Sequence, residues 1–204
     1  MELQRTLETL LLRRQSDRQY SSAAVPADAL MRILQAGQGQ RAGDEKRMAP
    51  SAHALYPLKL FVLVRRASDL EPGVYEFEPR QAELHRSDLN IAAGALLSVS
   101  LAGDEWLERA AVVVMITADI RQALEHFRDQ QADGMRGKRY VDFEAGAAVQ
   151  NMALSVAAQG LGGVVVMGID EQQLKRELAL ESHMEVVTLY CIGVPVESHT
   201  ADSA

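Results

Sequence analysis

Residues 140–166 read YVDFEAGAAVQNMALSVAAQGLGGVVV, and this stretch decides the fold. Residues 140–159 are rich in alanine and leave little polar face, so we predict a long helix that is deeply buried or lies at a subunit interface. Residues 160–163 are expected to end that helix, and residues 164–167 are typical of a buried strand. This order is the reverse of a dinucleotide-binding fingerprint, in which a strand precedes the glycines and a helix follows them. The stretch therefore predicts a long helix packed on a sheet and excludes a Rossmann site here.

Apolar runs on both sides of this stretch predict the rest of the sheet. The predicted strands are residues 58–64, 73–77, 82–85, 111–117 and 186–194. Residues 58–64 are typical of a buried strand, and residues 111–117 form a continuous β-branched run typical of a strand that is covered on both faces. Strands alternate with predicted helices, and no repeat or linker interrupts them. The pattern therefore predicts one α+β domain over residues 1–204, with a central mixed β-sheet wrapped by helices.

The composition excludes several functional classes. Of the 204 residues, 48% are hydrophobic and 24% are charged, which is typical of a globular protein. The net charge of −7 opposes binding to nucleic-acid phosphates or to anionic lipid. No apolar run approaches the roughly 20 residues that span a bilayer, and the first residues lack the apolar core of a signal peptide. We therefore expect no nucleic-acid partner, no membrane anchor and a cytoplasmic location.

Side chains that could bind a metal or act as catalysts are scattered along the chain. The single cysteine, Cys191, cannot form an intrachain disulfide or a cysteine-based metal site. The five histidines include no pair at metal-ligand spacing, so we expect no metal. The carboxylates of Asp129, Asp133 and Glu144 are expected on solvated polar faces rather than in an acid–base pair. The absence of a G-x-S-x-G motif gives no support for a serine hydrolase.

The segment RRQSDRQY, residues 13–20, concentrates positive charge. In an extended chain, Arg14, Ser16 and Arg18 project from one face, where two guanidiniums and a hydroxyl converge. This set of donors matches the oxygens of a phosphate monoester. The alternative is a solvated basic end of the first predicted helix, where positive charge suits the helix dipole.

Two further backbone segments could face a ligand. The sequence PSAHALYP, residues 50–57, places small residues between two prolines, which would let backbone amides approach a flat ligand. The alternative for this segment is a tight loop that enters the strand 58–64. Gly168 lies at a predicted strand-to-helix junction, where the backbone can also face a ligand.

Taken together, these segments resemble the flavin-dependent nitroreductase superfamily, and within it the SagB-type dehydrogenase-like branch. The resemblance covers nearly the whole chain. It rests on RRxSxRxY, APSAxALYPLxLFV, LEPGVYEFEP and the stretch quoted first with the following MGID, all in the family order. It implies a nitroreductase-like α+β fold and an obligate homodimer, with two FMN sites built at the interface from both subunits.

The resemblance also implies which residues form the site. The implied cofactor-binding residues are Arg14, Gln15, Ser16, Arg18, Pro50, Ser51, Ala52, His53, Met167 and Gly168. Residues 14–18 would hold the FMN phosphate and the pyrimidine edge, residues 50–53 of the partner chain would lie against the flavin, and residues 167–168 would bring backbone to flavin N5. Candidate walls of the substrate pocket are His53, Trp106 and Phe127. No catalytic acid or base is implied, because the cofactor carries the chemistry.

The chain departs from the family pattern at several positions. His53 stands where the branch usually has glycine, and Asp104 stands where many relatives carry a flavin-contacting glutamine. Ala132 and Asp133 occupy the place of a Lys–Tyr pair found in azoline-oxidising, peptide-modifying members. The tail after Pro195 lacks a basic residue that some nitroreductases use as a phosphate contact. The missing Lys–Tyr pair argues against azole formation.

The function implied by the resemblance is an FMN-dependent oxidoreductase. NAD(P)H would deliver a hydride to flavin N5, and a small planar acceptor such as a nitroaromatic or a quinone would then take the electrons. Two alternatives stay open: a dehydrogenase of a dedicated metabolite or modified peptide, and a non-catalytic flavin-binding scaffold. Residues 197–204 are expected to form a loose tail.

Overall fold

The computed structural model describes residues 2–196, so the tail expected at residues 197–204 lies outside the described residues. The helices are α1 (Glu2–Arg13), α2 (Ala27–Gln38), α3 (Ala95–Val99), α4 (Ile120–His126), α5 (Arg136–Ala158) and α6 (Glu171–Glu177). The strands are β1 (Leu58–Val64), β2 (Gly73–Glu78), β3 (Glu83–Arg86), β4 (Val112–Asp119), β5 (Gly162–Val166) and β6 (Met184–Gly193). Within this part of the chain, no helix is long and apolar enough to cross a membrane.

The six strands form one sheet in the order β3-β2-β1-β4-β6-β5. Every neighbouring pair is antiparallel, so the predicted mixed sheet is wrong in this respect. The physical reason lies in the last three strands. β4 and β5 run in the same direction, but β6 lies between them and pairs with both in the opposite direction. The alternation of helices and strands in the sequence does not reveal this insertion.

Helices cover both faces of the sheet. On one face, α2 packs with α5 against the sheet through apolar residues such as Leu30, Ile33 and Met152, each 0% exposed. On the other face, α3 and α6 pack through residues such as Leu96 and Leu174. The α+β class and the wrapped central sheet are therefore confirmed.

Helix α5 is buried along one side only. Val141, Ala145 and Ala148 lie in the core, whereas Phe143 on the opposite side is 73% exposed. Phe143 therefore leaves an apolar side chain on this outer side of the helix. Within residues 2–196, no part of the protomer covers this side of α5.

Helix α1 lies alongside α5 and buries none of its own residues. Leu3, Leu7 and Leu11 recur every fourth residue and are 87%, 51% and 49% exposed, and Leu12 is 87% exposed. Residues at this spacing share one face of a helix. The two helices therefore expose apolar side chains on the same part of the protomer.

Candidate functional site

The residues after α1 form an extended segment that runs beside β5. The Asp17 N–H donates to the Gly163 carbonyl at 3.1 Å, and the Tyr20 hydroxyl donates to the Asp17 carbonyl at 2.6 Å. One residue further, the Ser21 N–H donates to the Val194 carbonyl at 2.9 Å. These bonds fix the path of residues 14–20 along the edge of the sheet.

Glycines in β5 and β6 make this close approach possible. A Cβ atom at Gly163 would lie 2.5 Å from the Tyr190 hydroxyl, and one at Gly193 would lie 2.6 Å from the Tyr20 ring. Both tyrosines are buried, so neither ring has room to move away. The prediction that residues 160–163 only end the helix is therefore incomplete, because Gly162 and Gly163 already belong to β5.

Two donor side chains of this segment lack a protein partner. The Asp17 side chain lies over Gly162, so in an extended chain its neighbours Ser16 and Arg18 project to the other side. Within residues 2–196, the Arg14 guanidinium and the Ser16 hydroxyl have no protein hydrogen-bond partner. Burial raises the pKa of Tyr190 in β6, and the positive charge of Arg14 opposes part of that rise.

Arg18 is held in place by an aromatic ring. Its guanidinium carbon lies 5.7 Å from the centre of the Trp106 ring, at the distance of a cation–π contact. The Trp106 Nε1–H donates to Asp104 Oδ1 at 3.0 Å, and the other Asp104 oxygen lies 3.3 Å from the Ser100 hydroxyl. Asp104, one of the departures from the family pattern, therefore positions Trp106 beneath Arg18.

A groove of about 500 Å³ opens beside this segment, lined by Gln15, Ser16, Asp17, Arg18, Gln19, Pro195 and Val196. The Gln15 side-chain amide donates to Asp17 Oδ1 at 2.9 Å. At the far end of β5, Met167 is 61% exposed and Gly168 is exposed. The Gly168 carbonyl accepts from the Leu101 N–H at 2.9 Å, whereas the Gly168 N–H has no protein acceptor within the described chain. Nothing lies within 4 Å of a Cβ built at Gly168.

The loop of residues 50–57 has an unusual backbone. His53, Ala54 and Tyr56 have φ values of 53°, 54° and 49°, in the left-handed region that favours glycine. The family's usual glycine at the place of His53 suits this conformation. This chain places an imidazole there instead, at a cost in backbone energy.

Four rings pack together next to this loop. His53 Nδ1 lies 3.0 Å from His126 Nε2, and the two rings meet edge to face. Phe127 lies beneath both imidazoles and also contacts the Tyr140 ring, whose centre is 4.6 Å away. Phe127 is only 1% exposed, so His53 rather than Phe127 presents the surface of this cluster.

Glu144 is not on a solvated face, and that prediction is wrong. It is 4% exposed, and its Oε1 accepts from the Ala52 N–H at 2.7 Å. Helical spacing places it three residues after Val141 and four before Ala148, on the apolar face of α5. Asp129 and Asp133 are exposed, as expected.

The predicted site residues thus fall into two groups. Residues 14–18 and 167–168 lie along β5, whereas residues 50–53 contact α4 and α5. The described contacts of a single protomer do not bring the two groups together. Trp106 belongs with the first group and Phe127 with the second.

Cys191 is fully buried, and burial raises the pKa of its thiol to about 12, so it stays protonated near neutral pH. Among residues 2–196, no group of three or more histidine, cysteine or carboxylate side chains could hold a metal ion.

Exchanging Glu144 for glutamine is expected to change how stability depends on pH. Burial raises the pKa of Glu144, and hydrogen bonds from Ala52 and Ser51 oppose part of that rise. A raised pKa means that the folded protein holds this proton more tightly than the unfolded chain does. The resulting stabilisation is complete below the ordinary value of 4.5 and is lost as the pH rises through the raised value. Urea unfolding of both proteins over this pH range measures the effect. As the pH rises, the free energy of unfolding of Glu144→Gln is expected to increase relative to that of the unmodified protein. A difference that does not depend on pH would contradict the raised pKa of Glu144.

Nearly the whole chain matches a known protein family. The profile of the Nitroreductase family matches residues 11–194. The chain belongs to the nitroreductase family. A Methanocaldococcus jannaschii protein whose name assigns it to the nitroreductases is 30% identical over 177 residues, which are 87% of this chain and 86% of that protein. The NADH dehydrogenase of Thermus thermophilus is 25% identical over 212 residues, covering 93% of this chain and 87% of the relative.

Solved structures share the nitroreductase fold. A chain in the microcin synthetase McbBCD complex of E. coli, solved with truncated pro-MccB17 bound, has a TM-score of 0.74 at 20% identity, covering 90% of this nitroreductase-family chain and 70% of that chain. A nitroreductase of Desulfovibrio desulfuricans, solved with FMN, has a TM-score of 0.63 at 21% identity, covering 94% and 87%. At these identities the likeness concerns the fold alone.

Proposed function

We propose that this nitroreductase-family chain is an FMN-dependent oxidoreductase that passes electrons from NAD(P)H to a small planar acceptor, such as a nitroaromatic or a quinone. The observation that carries the proposal is the set of donors along β5. Two guanidiniums, a hydroxyl and the exposed Gly168 N–H lie on one edge. Within residues 2–196, only the Arg18 guanidinium among these donors has a hydrogen-bond acceptor, the Ser16 backbone carbonyl at 3.4 Å. The proposal treats residues 1–204 as a single FMN-binding domain.

The donor set fits FMN by its chemistry. Arg14, Ser16 and Arg18 offer charge-assisted and neutral hydrogen bonds that suit a phosphate monoester. Open space at Gly168 leaves room for a flat ring next to the backbone, since even a Cβ there would touch nothing. A groove of about 500 Å³ is also within the usual range of small-molecule sites.

When bound, FMN supplies two-electron redox chemistry at ring nitrogen N5. The chain's own residues bind and orient it. Arg14, Gln15, Ser16 and Arg18 would hold the phosphate and the pyrimidine edge, and the backbone at Met167 and Gly168 would donate to the ring. Pro50, Ser51, Ala52 and His53 of a second copy would cover the ring, with Trp106 and Phe127 as supports behind Arg18 and His53. No side chain in this arrangement needs to act as a catalytic acid or base.

The proposal includes a homodimer. The residues assigned to FMN lie in two groups that a single protomer does not join, so a second copy would complete each site. Leu3, Leu7 and Leu11 on α1 and Phe143 on α5 provide apolar surface for such a contact. An interface along these helices would also cover the open side of α5.

A second candidate function is oxidation of a peptide-derived substrate. It is suggested by the fold that this chain shares with a chain of the microcin synthetase complex. The local chemistry favours the first candidate. At the place of the Lys–Tyr pair, Ala132 offers no functional group, and Asp133 is bound by Arg139 at 2.7 Å. The NADH dehydrogenase relative also supports a nicotinamide donor.

The test is a visible absorption spectrum of the purified protein, followed by anaerobic addition of NADH or NADPH. We expect a flavin spectrum that bleaches. Flavin that resists both nicotinamides would favour the second candidate or a non-catalytic flavin-binding scaffold, and a substrate screen would separate them. No flavin, even after titration with FMN, would contradict the proposal. In sedimentation experiments, a monomer that retains FMN would contradict the homodimer.

A further inference from the structure

The buried carboxylate of Glu144 has no task in the proposed function. Burying such a group removes its hydration, which is unfavourable unless hydrogen bonds replace it. Its described hydrogen-bond partner is the Ala52 N–H at 2.7 Å, in the loop of residues 50–57. The guanidinium of Arg47 donates to Gln38 and to the Leu58 carbonyl instead. The carboxylate of α5 is therefore directed at the loop.

The sequence of the loop does not favour its backbone shape. Three of its residues, His53, Ala54 and Tyr56, hold left-handed backbone angles without being glycine. This region is unfavourable for L-residues other than glycine, so the strained angles need support. Bonds within the loop supply part of that support, such as the one from the Tyr56 N–H to the Ser51 hydroxyl, and contacts from the rest of the protein supply the remainder.

The Glu144 carboxylate fixes the start of the strained stretch. It accepts from the Ala52 N–H, immediately before His53 and Ala54. Next to Ala52, the Ser51 hydroxyl oxygen accepts from the Tyr56 N–H at 2.9 Å. The entry to the strained residues is thereby fixed to α5, and the bond between Ser51 and Tyr56 ties their exit to that entry.

Other contacts also reach the loop. The Tyr56 hydroxyl accepts from the Arg47 N–H at 3.1 Å, and His53 meets His126. Both of these act on side chains of the loop.

One further contact reaches the backbone at the end of the loop. The Asp119 N–H donates to the Pro57 carbonyl at 3.1 Å, after the strained residues, whereas Glu144 binds the backbone immediately before them. A buried carboxylate whose described hydrogen bond goes to the backbone of one loop fits a group that is retained for geometry.

We propose that Glu144 is a positioning residue for the loop of residues 50–57, holding its left-handed backbone in the shape that presents Pro50, Ser51, Ala52 and His53 to a flavin. The flavin-facing part of this inference rests on the proposed function. The loop-holding part concerns the protein without cofactor and stands separately.

The test compares Glu144→Ala with Glu144→Gln. Glutamine keeps an oxygen that accepts from Ala52, whereas alanine leaves this amide unpaired. The matched control is Met152→Ala, which removes a fully buried side chain from the same helix, at a place that faces Gly37 of α2. Amide hydrogen exchange of Ala52 in the flavin-free protein is measured relative to the Val114 amide, which lies in the central strand β4.

In Glu144→Ala, the Ala52 amide is expected to exchange about tenfold faster or more relative to Val114, because its acceptor is gone. Glu144→Gln is expected to restore slow exchange. Met152→Ala is expected to speed exchange at Val114 through global destabilisation, without the gain of Ala52 over Val114. In FMN titrations, Glu144→Ala is expected to bind about tenfold more weakly, with Glu144→Gln close to the unmodified protein. If Glu144→Ala does not fold, Glu144→Asp replaces it, because the shorter side chain keeps the charge but withdraws the oxygen from the Ala52 amide.

Unchanged exchange at Ala52, or the same change in Met152→Ala, would overturn the positioning role. Faster exchange with undiminished FMN affinity would overturn the link between this loop and the flavin. If the unmodified protein binds no FMN, the proposed function fails, and the exchange ratios still decide whether Glu144 holds the loop.

Discussion

Replacing Arg14 with alanine is expected to weaken FMN binding about tenfold to a hundredfold, equivalent to about 1.5–3 kcal/mol. Arg14 is half-buried, and its guanidinium has no protein hydrogen-bond partner within residues 2–196. A half-buried cation is less hydrated than an exposed one, so a phosphate gains more from binding it. Fluorescence titration of the flavin-free protein measures the loss directly.

The matched control is Arg13→Ala. Arg13 is the last residue of α1 and is exposed, so it carries the same charge one position away without sharing the extended segment. We expect its FMN affinity to change less than about threefold, as for a screened surface charge. Equal losses in the two variants would mean that general positive charge, rather than Arg14 itself, attracts the phosphate. No loss in Arg14→Ala would reject this placement of the phosphate.

The largest expected loss of stability follows from Gly137→Ala. Gly137 lies in the first turn of α5, where the backbones of α4 and α5 are in contact. A Cβ atom there would overlap the Ala123 carbonyl and lie 2.7 Å from the Leu124 nitrogen. Backbone cannot rotate away as a side chain can, so we expect unfolding to become easier by about 3 kcal/mol. Thermal and urea unfolding measure this effect.

The same substitution further along α5 is the control. A Cβ at Gly146 meets nothing within 4 Å, so alanine there is expected to stabilise the helix by about 0.5–1 kcal/mol. A Gly137→Ala protein as stable as the unmodified chain would show that α4 can shift freely. A loss of stability in Gly146→Ala would instead indicate that a partner packs closely on this side of α5.

Much of the fold could be predicted from the sequence because the core strands consist of continuous apolar residues. β1 has the predicted bounds, and β4 and β6 differ from prediction by two residues at most. The predicted start of β5 was wrong, because glycine usually ends helices and was taken to do so here. In this protein, Gly163 is needed for contact with Tyr190, a residue far away in the chain. The sheet was predicted as mixed because the sequence does not specify where β6 is inserted.

The site was less accessible to prediction. The basic segment and the loop of residues 50–57 could be found because they concentrate donors, small residues and prolines. The burial of Glu144 could have been predicted from its helical spacing with Val141 and Ala148. Its charge favoured a solvated position instead, so this spacing was overlooked. The shape of the loop could not be predicted, because its partner Glu144 is 92 residues from Ala52. His126 gives no sequence signal, since its role depends on the fold bringing it to His53.

The two groups of site residues on each protomer make the amount of bound FMN depend on the protein concentration. If the segment beside β5 and the loop of residues 50–57 bind one FMN only from opposite subunits, each flavin bridges the pair. Dilution to concentrations near the dimer's dissociation constant then releases flavin together with subunits. By the same linkage, saturating FMN slows the exchange of subunits and raises the temperature at which the pair dissociates.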